Sequence, residues 1–380
     1  MQEIINNNKC TSCTACATIC PKKAITIKED KDGFTYPVID QEKCIDCGLC
    51  KKTCPVLNTK KNKSLEKYYA AYNKDEKVRL SSSSGGLFQL IAEEVLKENG
   101  IVIGASFDKD NNLKHIAIKK KEELESLKGS KYLQSDLNNI FSFVKDNIND
   151  KKILFVGTPC QVAGLKAIIK EHKNLITIDL FCHGVPSTNL FRKYIKELEN
   201  KNGKLLNYNF RDKKWGWEVY SHTITFKKKK ISKIFDRNDY MLLYLSDIAL
   251  RESCYNCNFK IGNKYSDISL GDFWGVKRYH PDIHNKKGVS AVVINTEKGE
   301  ELFNLIKDNI VYKECKLDEI KTDNPQITAS TQRPDNRSEF FKEFNELSVK
   351  ELNKKYGLRI PLKRKIKVNI KRIIKYILGK

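Results

Sequence analysis

Two runs of cysteines near the start of the chain share one spacing, and that spacing can support redox chemistry. Both follow the pattern C-x2-C-x2-C-x3-C-P, the first ending at Pro21 and the second at Pro55. In each run three thiolates, separated by two residues, can hold one corner of a four-iron cluster, while the fourth reaches the other cluster. We therefore predict two 4Fe-4S clusters, one held by Cys10, Cys13, Cys16 and Cys54 and the other by Cys20, Cys44, Cys47 and Cys50.

Disulfides and zinc are the plainer interpretations of these cysteines. Disulfide frameworks belong to small secreted domains, but residues 1–8 show no apolar segment of the kind found in signal peptides. Zinc sites usually pair two C-x2-C units across a longer gap. Thirteen cysteines without a secretory signal favour a reducing, oxygen-poor compartment, so we expect a cytoplasmic protein.

The character of the chain changes after the second cysteine run. Residues 1–58 are predicted to form an α+β ferredoxin-like domain, and residues 59–66 form a polar linker. From residue 67 to about 315, apolar strands alternate with helical segments, which predicts an α/β domain with a mostly parallel sheet. Residues 316–380 are then a C-terminal extension.

Five cysteines lie outside the ferredoxin-like domain. Cys160 and Cys182 each follow a buried apolar strand, and the carboxyl ends of neighbouring parallel strands meet at one edge of a sheet. Together with Cys254-x2-Cys257 they would make a complete four-thiolate set. We favour a third 4Fe-4S cluster, although structural zinc uses the same ligands. Cys315 is then left as a small buried hydrophobe.

A cluster of serines and glycines leads directly into a helical segment that starts at Leu87. Free backbone N–H groups and the helix dipole at such a place favour an anion, and glycines allow it to approach closely. The phosphate of a nucleotide cofactor would fit there. The alternative is an ordinary serine cap behind a flexible loop. The candidate cofactor-binding residues are Ser82, Ser83, Ser84, Gly85 and Gly86.

One histidine adjoins the cysteine at the second strand end. His183 directly follows Cys182, so it would lie close to any ligand bound at that edge of the sheet. It is our candidate catalytic residue, as a donor to a substrate or a flavin. The alternative is that it only satisfies a backbone carbonyl.

The formal net charge of +23 comes mostly from lysine. We expect most of it to be a solvated surface, and we find no motif for specific nucleic-acid recognition. The sequence contains no run of 18 apolar residues, so we predict no membrane-spanning segment.

The C-terminal segment has a distinct composition. Residues 362–380 carry eight basic residues, no acidic one, and isoleucines at helical spacing. This pattern predicts a basic amphipathic helix that contacts the anionic inner face of a membrane, or a partner protein. The alternative is a terminal helix docked on its own domain.

Several motifs outside the cysteine runs resemble those of the coenzyme F-420 hydrogenase/dehydrogenase beta-subunit family. They occur in the family's order over about residues 68–310, and a fused two-cluster ferredoxin is a familiar arrangement there. The motifs include Ser82-Ser-Ser-Gly-Gly-Leu-Phe, Gly129-Ser-Lys-Tyr-Leu-Gln-Ser-Asp, Gly157-Thr-Pro-Cys-Gln, Phe181-Cys-His-Gly and Asp267-Ile-Ser-Leu-Gly-Asp-Phe-Trp-Gly.

The resemblance implies an FAD on the α/β domain with an iron–sulfur cluster beside it. Carried over by motif, the Ser82–Gly86 loop and Lys131 become flavin-contact candidates, and Cys160, Cys182, Cys254 and Cys257 become cluster ligands. It also implies two-electron chemistry at the flavin and one-electron exchange through the clusters. The substrate stays open, because relatives act on the deazaflavin coenzyme and on unrelated molecules.

Our main hypothesis is an iron–sulfur flavoprotein oxidoreductase. A low-potential donor, such as ferredoxin or another electron-transfer protein, loads the N-terminal clusters, and electrons pass through the third cluster to FAD and on to a small-molecule acceptor, or in reverse. The first alternative is an electron-transfer subunit with no substrate site of its own, which serves a partner enzyme. The second is a scaffold or nucleic-acid binder without flavin, whose affinity would depend strongly on salt.

Overall fold

The computed structural model describes residues 3–59, 65–262 and 264–361. Its strands form three sheets in the described part of the chain. In chain order the strands are β1 (Ile25–Glu29), β2 (Thr35–Ile39), β3 (Lys67–Asn73), β4 (Ile101–Phe107), β5 (Leu113–Ile118), β6 (Ile153–Gly157), β7 (Leu175–Leu180), β8 (Leu205–Asp212), β9 (Ser221–Phe226), β10 (Lys230–Ile234), β11 (Ile268–Asp272), β12 (Ser290–Ile294) and β13 (Ile310–Cys315).

The α-helices lie between and after these strands. They are α1 (Ala15–Ile19), α2 (Leu49–Thr53), α3 (Glu76–Ser81), α4 (Leu87–Lys97), α5 (Leu124–Leu127), α6 (Ile140–Asn147), α7 (Pro159–Ile169), α8 (Thr188–Asn202), α9 (Asp239–Leu245), α10 (Val276–Tyr279), α11 (Glu297–Ile306), α12 (Leu317–Lys321), α13 (Arg337–Glu343) and α14 (Val349–Tyr356).

The ferredoxin-like module consists of the antiparallel hairpin β1–β2 and the cysteine-bearing helices α1 and α2. Gly33 lies in the hairpin turn with φ +83°, a conformation that L side chains rarely adopt. A Cβ at this position would also come within 2.6 Å of the Asn189 backbone nitrogen at the start of α8. The turn therefore needs glycine both for its shape and for its close approach to the second domain.

The central sheet of the second domain is mixed, with the order β13-β3-β12-β11-β7-β6-β4-β5. Its middle strands β11, β7, β6 and β4 run parallel, as the alternation of strands and helices predicts, and the strands on both flanks pair antiparallel. Helices α4 and α11 pack on one face and α6 and α7 on the other. Each large apolar side chain buried between these layers contributes about 1.5–3 kcal/mol.

A smaller antiparallel sheet, β10-β9-β8, follows α8. Its apolar face packs with α8 and α9 into an aromatic cluster that includes Phe191, Phe210 and Tyr240. Phe340 and Leu352, from α13 and α14, are fully buried in the same cluster. Helices α13 and α14 of the C-terminal extension thus pack on this side of the α/β domain, whereas Ile320 of α12 is buried in another cluster with Trp217 and Phe273.

The two predictions about membranes concern different parts of the chain. Among the residues that the structure describes, no helix combines the length and the apolar character needed to cross a bilayer. The predicted amphipathic helix 362–380 lies outside the described residues.

Candidate functional site

The eight cysteines of the ferredoxin-like module line two separate cavities. One is lined by Cys10, Cys13, Cys16 and Cys54, together with Pro55. The other is lined by Cys20, Cys44, Cys47 and Cys50, together with Pro21. These are the two sets that the spacing predicts, each made of three cysteines from one run and one from the other. The donor set, four thiols around one small cavity, fits a 4Fe-4S cluster; the ligand assignment itself stays a prediction.

The two cysteine loops share one backbone shape. Ser12 and Thr14 in the first loop, and Asp46 and Gly48 in the second, occupy equivalent positions and all have positive φ. This left-handed shape turns backbone N–H groups toward a common centre, as in other anion-binding loops. The Ser12 N–H, for example, donates to Cys10 Sγ over 3.4 Å. The loops therefore present both thiols and N–H donors to whatever the cavities hold.

Burial makes free thiolates unfavourable in the first cavity. It raises the pKa of Cys13 well above its ordinary value, and it raises the pKa of Cys16 to about 12, with the neighbouring Cys10 and Cys54 adding to the shift. Thiolates gathered around one small cavity repel one another. A cationic iron–sulfur core would offset that repulsion, which fits the group that the spacing predicts.

The structure also gathers four of the remaining cysteines around one cavity. They are Cys160, Cys182, Cys254 and Cys257. Cys160 lies in the first turn of α7, Cys182 follows β7, and Cys254 lies on the short 3-10 turn Glu252–Asn256. Because β6 and β7 are parallel neighbours, the segments that follow them start at the same edge of the sheet. Cys254 and Cys257 come to that edge from a segment distant in sequence.

This third set has the same electrostatic character as the first. Burial, with the neighbouring Cys182 and then Cys257 adding to its effect, raises the pKa of Cys254 to about 12. Burial also raises the pKa of Cys160, and Cys182 is again the thiol that adds most to the shift. Four half-buried thiols around one cavity fit a 4Fe-4S cluster or zinc, so the choice between the two stays a prediction.

Cys315 lies apart from this set. It is half-buried at the end of β13, and its sulfur lies within 4.8 Å of ligand atoms on His280 and Glu319. His280 Nε2 and Glu319 Oε2 are already hydrogen-bonded at 3.0 Å, which explains their proximity without an ion. Cys315 is therefore not a fifth thiol at the third cavity.

The first ferredoxin cavity adjoins the third set through α7. Gly164, one turn after Cys160, packs directly on Cys13: a Cβ at Gly164 would come within 2.8 Å of Cys13 Cβ and 3.0 Å of Cys13 Sγ. From the other side, Ser253 Oγ donates to the carbonyl of Cys10 over 3.0 Å. Thr11 lines the third cavity as well as the first. The first and third cysteine sets are thus neighbours across the domain interface.

We predict that Gly164→Ala destabilises the protein. Alanine in a helix is normally better than glycine by up to about 1 kcal/mol, but here its Cβ would overlap Cys13, and overpacking of this kind costs about 1–3 kcal/mol. The variant should release iron at a lower temperature than the wild type in an anaerobic thermal scan. Gly104→Ala is the matched control, since its Cβ would meet Leu127 at 3.5 Å, an ordinary contact. Equal scans for both variants would contradict the prediction.

A cleft of about 520 Å³ opens at the carboxyl ends of the parallel strands. It is lined by the loop Ser82–Gly86, which we call the serine loop, and by Gly129–Lys131. Aromatic side chains that include Tyr220, Tyr244 and Trp274 line it as well. Cys182 and His183 line both this cleft and the third cysteine cavity. A cofactor-sized cleft with apolar walls and a few polar groups therefore lies directly beside the third cysteine set.

The serine loop reaches the cleft at the start of α4. Gly86 caps this helix with φ +83° and no side chain satisfies the first helical N–H groups. The serine hydroxyls are partly engaged: Ser82 Oγ donates to Val78 O, and Ser84 Oγ donates to Val289 O. Ser83 Oγ accepts from the Ser130 N–H, which leaves its own proton for another partner. An uncapped helix start fits a phosphate, and the main donors there would be backbone N–H groups and Ser83.

Lys131 lines the cleft, but its ammonium group is turned to the protein. Nζ donates to four backbone carbonyls, those of Ala105, Ser126, Leu127 and Lys128. Burial lowers its pKa to about 7. In this structure Lys131 supports the 126–131 loop that forms one wall of the cleft, and direct contact with a flavin stays a prediction.

Arg211 and Asp272 are functional candidates that the sequence reasoning missed. They form a buried bidentate pair, with distances of 2.7 and 3.0 Å. Arg211 also donates to the carbonyl of Ser83, and the nearby Lys213 donates to the carbonyl of Ser84. Arg211 and Lys213 therefore hold the serine loop by its carbonyl groups. The sequence did contain a signal for this pair, because the positively charged Arg211 stands near the end of β8 and the negatively charged Asp272 stands at the end of β11.

His183 meets a carboxylate and not a backbone carbonyl. Its Nε2 lies 2.5 Å from Asp247 Oδ1, and Thr331 Oγ1 donates to the other oxygen of Asp247. The imidazole packs against Tyr244, with ring centroids 5.3 Å apart. The ring is thus held in a defined orientation at the wall of the cleft, as a donor to a bound molecule would need to be; its catalytic role stays a prediction.

Three family models match successive parts of the chain. Residues 68–142 match the family model of the N-terminal part of the coenzyme F420 hydrogenase/dehydrogenase beta subunit, and residues 150–320 match the model of its C terminus. Together they cover more than half of the chain. Residues 9–58 match the 4Fe-4S dicluster domain.

Among curated proteins, the coenzyme F420-dependent sulfite reductase of Methanocaldococcus jannaschii is 24% identical over 324 residues, which are 81% of this chain and 47% of that protein. The chain thus spans about half the length of this relative. A subunit of the F(420)H(2) dehydrogenase of Methanosarcina mazei is 23% identical over 332 residues, 81% of this chain and 85% of that protein. Among solved structures, one component of the xenon-derivatised F420-reducing NiFe hydrogenase complex of Methanosarcina barkeri has a TM-score of 0.49 and 18% identity, covering 79% of this chain and 97% of its own length.

Proposed function

Since the chain belongs to the coenzyme F420 hydrogenase/dehydrogenase beta-subunit family, we propose that it is an iron–sulfur flavoprotein oxidoreductase. In this proposal it transfers electrons between a low-potential donor such as ferredoxin and an acceptor that binds in the cleft. The family and the dicluster domain support an iron–sulfur oxidoreductase. The flavin, the third cluster and the identity of the donor are our extension of that coarser assignment.

One observation carries the proposal: Cys182 and His183 lie on the wall that separates the third cysteine cavity from the cleft. The first ferredoxin cavity adjoins the opposite side of that set through Thr11 and Gly164. Three candidate redox positions are therefore contiguous from the N-terminal module to the cleft. A scaffold protein would not need a cofactor-sized cleft at the end of such a series.

The residues of the chain have separate tasks in this arrangement. The start of α4 would bind a phosphate through its N–H groups, and Arg211 and Lys213 hold the serine loop in place from behind. His183 would orient a molecule at the wall, itself oriented by Asp247. The bound cofactors, FAD and 4Fe-4S clusters, would supply the two-electron and one-electron chemistry respectively.

The composition of anaerobically purified protein tests the proposal directly. We expect about twelve irons, about twelve sulfides and one FAD per chain, as three four-iron clusters and one flavin require. Iron, sulfide, zinc and flavin would be measured on the same sample, together with its absorption spectrum. About eight irons with one zinc and no flavin would contradict the proposal, because the third set would then be structural.

A second candidate is an electron-transfer subunit that serves a partner enzyme. It is favoured by the relative from Methanosarcina mazei, whose name describes it as a subunit of a dehydrogenase. The two candidates differ in what the isolated chain can do. Reduction of a small-molecule acceptor by the isolated, cofactor-replete chain would support the reductase, and transfer only to a separate catalytic protein would support the subunit.

A further inference from the structure

We propose that the second ferredoxin cavity, lined by Cys20, Cys44, Cys47 and Cys50, is the electron entry port, and that the surface around Ile45 and Leu49 docks an acidic electron-carrier protein. This inference rests on the proposed function, and it names the place and the chemistry of the donor contact. Neither the family nor the dicluster domain specifies which of the two clusters meets the donor, or through which surface.

Exposure distinguishes the two cavities. Around the first, Cys10, Cys13 and Cys54 are only 7–8% exposed. Around the second, Cys47 is exposed, and Cys20 and Cys44 are partly exposed. The first cavity also adjoins α7 and Ser253 of the second domain, as the contacts of Gly164 and Cys10 show. A protein that approaches from solvent therefore meets the second cavity, while the first one faces inward.

Apolar side chains mark the surface beside the exposed cavity. Ile45 is 57% exposed and Leu49 is 39% exposed, and both line the second cavity. Large apolar residues exposed next to a functional site are typical of contact surfaces for other proteins. The patch is small, in keeping with redox complexes, which form weak and transient interfaces.

The charge of the same surface selects the kind of partner. Lys22 lines the second cavity, and Lys51 and Lys52 follow Leu49 on α2, all three with exposed side chains. Asp46 is the acidic residue of the same cysteine loop. The lysines outnumber it, so an apolar centre with a basic rim favours a partner with an acidic rim. Such complementarity speeds association more than it raises affinity.

The test measures how fast a reduced bacterial two-cluster ferredoxin transfers electrons to the oxidised holoprotein in an anaerobic stopped-flow instrument. Ile45→Asp and Lys22→Glu should each lower the second-order rate constant about tenfold or more at low salt, because both add negative charge where an acidic carrier docks. The deficit of Lys22→Glu should shrink as salt is added. Reduction by dithionite, a small reductant that needs no docking surface, should slow much less than reduction by ferredoxin in both variants.

Leu305→Asp is the matched control, because Leu305 on α11 is 57% exposed like Ile45 but lies on another face of the protein. It should react with ferredoxin at the wild-type rate. Wild-type rate constants in Ile45→Asp and Lys22→Glu would overturn the docking surface and leave the proposed function standing. If dithionite but not ferredoxin reduces the wild type, the ferredoxin donor of the proposed function fails, and the docking proposal fails with it.

Discussion

Replacing Cys182 by alanine should lower the iron content from about twelve to about eight per chain and stop the transfer of electrons from reduced ferredoxin to the flavin. Cys182 lines both the third cysteine cavity and the cleft, so its loss removes one ligand of the predicted cluster at the point where the two cavities adjoin. The two ferredoxin-module clusters should still be reduced. Iron analysis and stopped-flow spectra of the same preparation would measure both effects.

Cys315→Ala is the control for this experiment. Cys315 is half-buried like Cys182, but it lies beside His280 and Glu319, away from the third set. Its replacement should leave both iron content and flavin reduction unchanged. Cys182 would not be a cluster ligand if Cys182→Ala retained all twelve irons, and the third cluster itself would be wrong if the wild type held zinc at this position.

Replacing Arg251 by methionine should weaken the docking of the ferredoxin-like module on the α/β domain. The side chain is 1% exposed, and its guanidinium donates to Thr35 O over 3.1 Å and to Cys10 O over 3.4 Å, both in the module. It also donates to Gln134 Oε1 over 3.0 Å. Methionine keeps the apolar bulk but makes none of these hydrogen bonds; Ser253 still donates to the Cys10 carbonyl, whereas Thr35 O and Gln134 Oε1 lose the Arg251 donor, and the total cost is about 3 kcal/mol. The midpoint of anaerobic thermal unfolding should fall by several degrees.

The surface offers a control for Arg251. Arg192 also joins the two domains, since its Nη1 lies 2.6 Å from Glu29 Oε1, but its side chain is 49% exposed. An exposed pair of this kind is worth at most about 1 kcal/mol, so Arg192→Met should unfold almost like the wild type. Scans must use one heating rate, because loss of clusters makes unfolding irreversible. Equal midpoints for the two variants would show that Arg251 does not clamp the domains.

Local patterns carried most of what the sequence could predict. The cysteine spacing separated the two ferredoxin sets that line separate cavities, since three thiolates of each run can hold one centre while the fourth reaches the other. Cys160 and Cys182 were placed together because the ends of neighbouring parallel strands meet. Helix α4 starts at Leu87, as predicted, and its apolar residues repeat at helical spacing as far as Lys97.

What the sequence did not reveal depends on contacts between distant segments. Nothing near Arg251 or Gly164 indicates that they touch the ferredoxin-like module, because that contact exists only once the two domains are docked. The antiparallel flanks of the central sheet were missed for a similar reason, since β3 pairs with β12 and β13 from the far end of the chain. Helix α9 ends at Leu245, and Asp247, the partner of His183, then takes a left-handed turn with φ +64°.

The close packing of Gly164 on Cys13 has a consequence for the biogenesis of the protein. Cys13 is 8% exposed and has Gly164 of the second domain packed on it, so a scaffold that delivers iron–sulfur units has no access to this cysteine once the domains have closed. The N-terminal module leaves the ribosome first and can fold before the rest of the chain. Loading of this inner centre must therefore precede closure, so maturation follows a fixed order, and a chain that closes too early would be trapped without its inner centre.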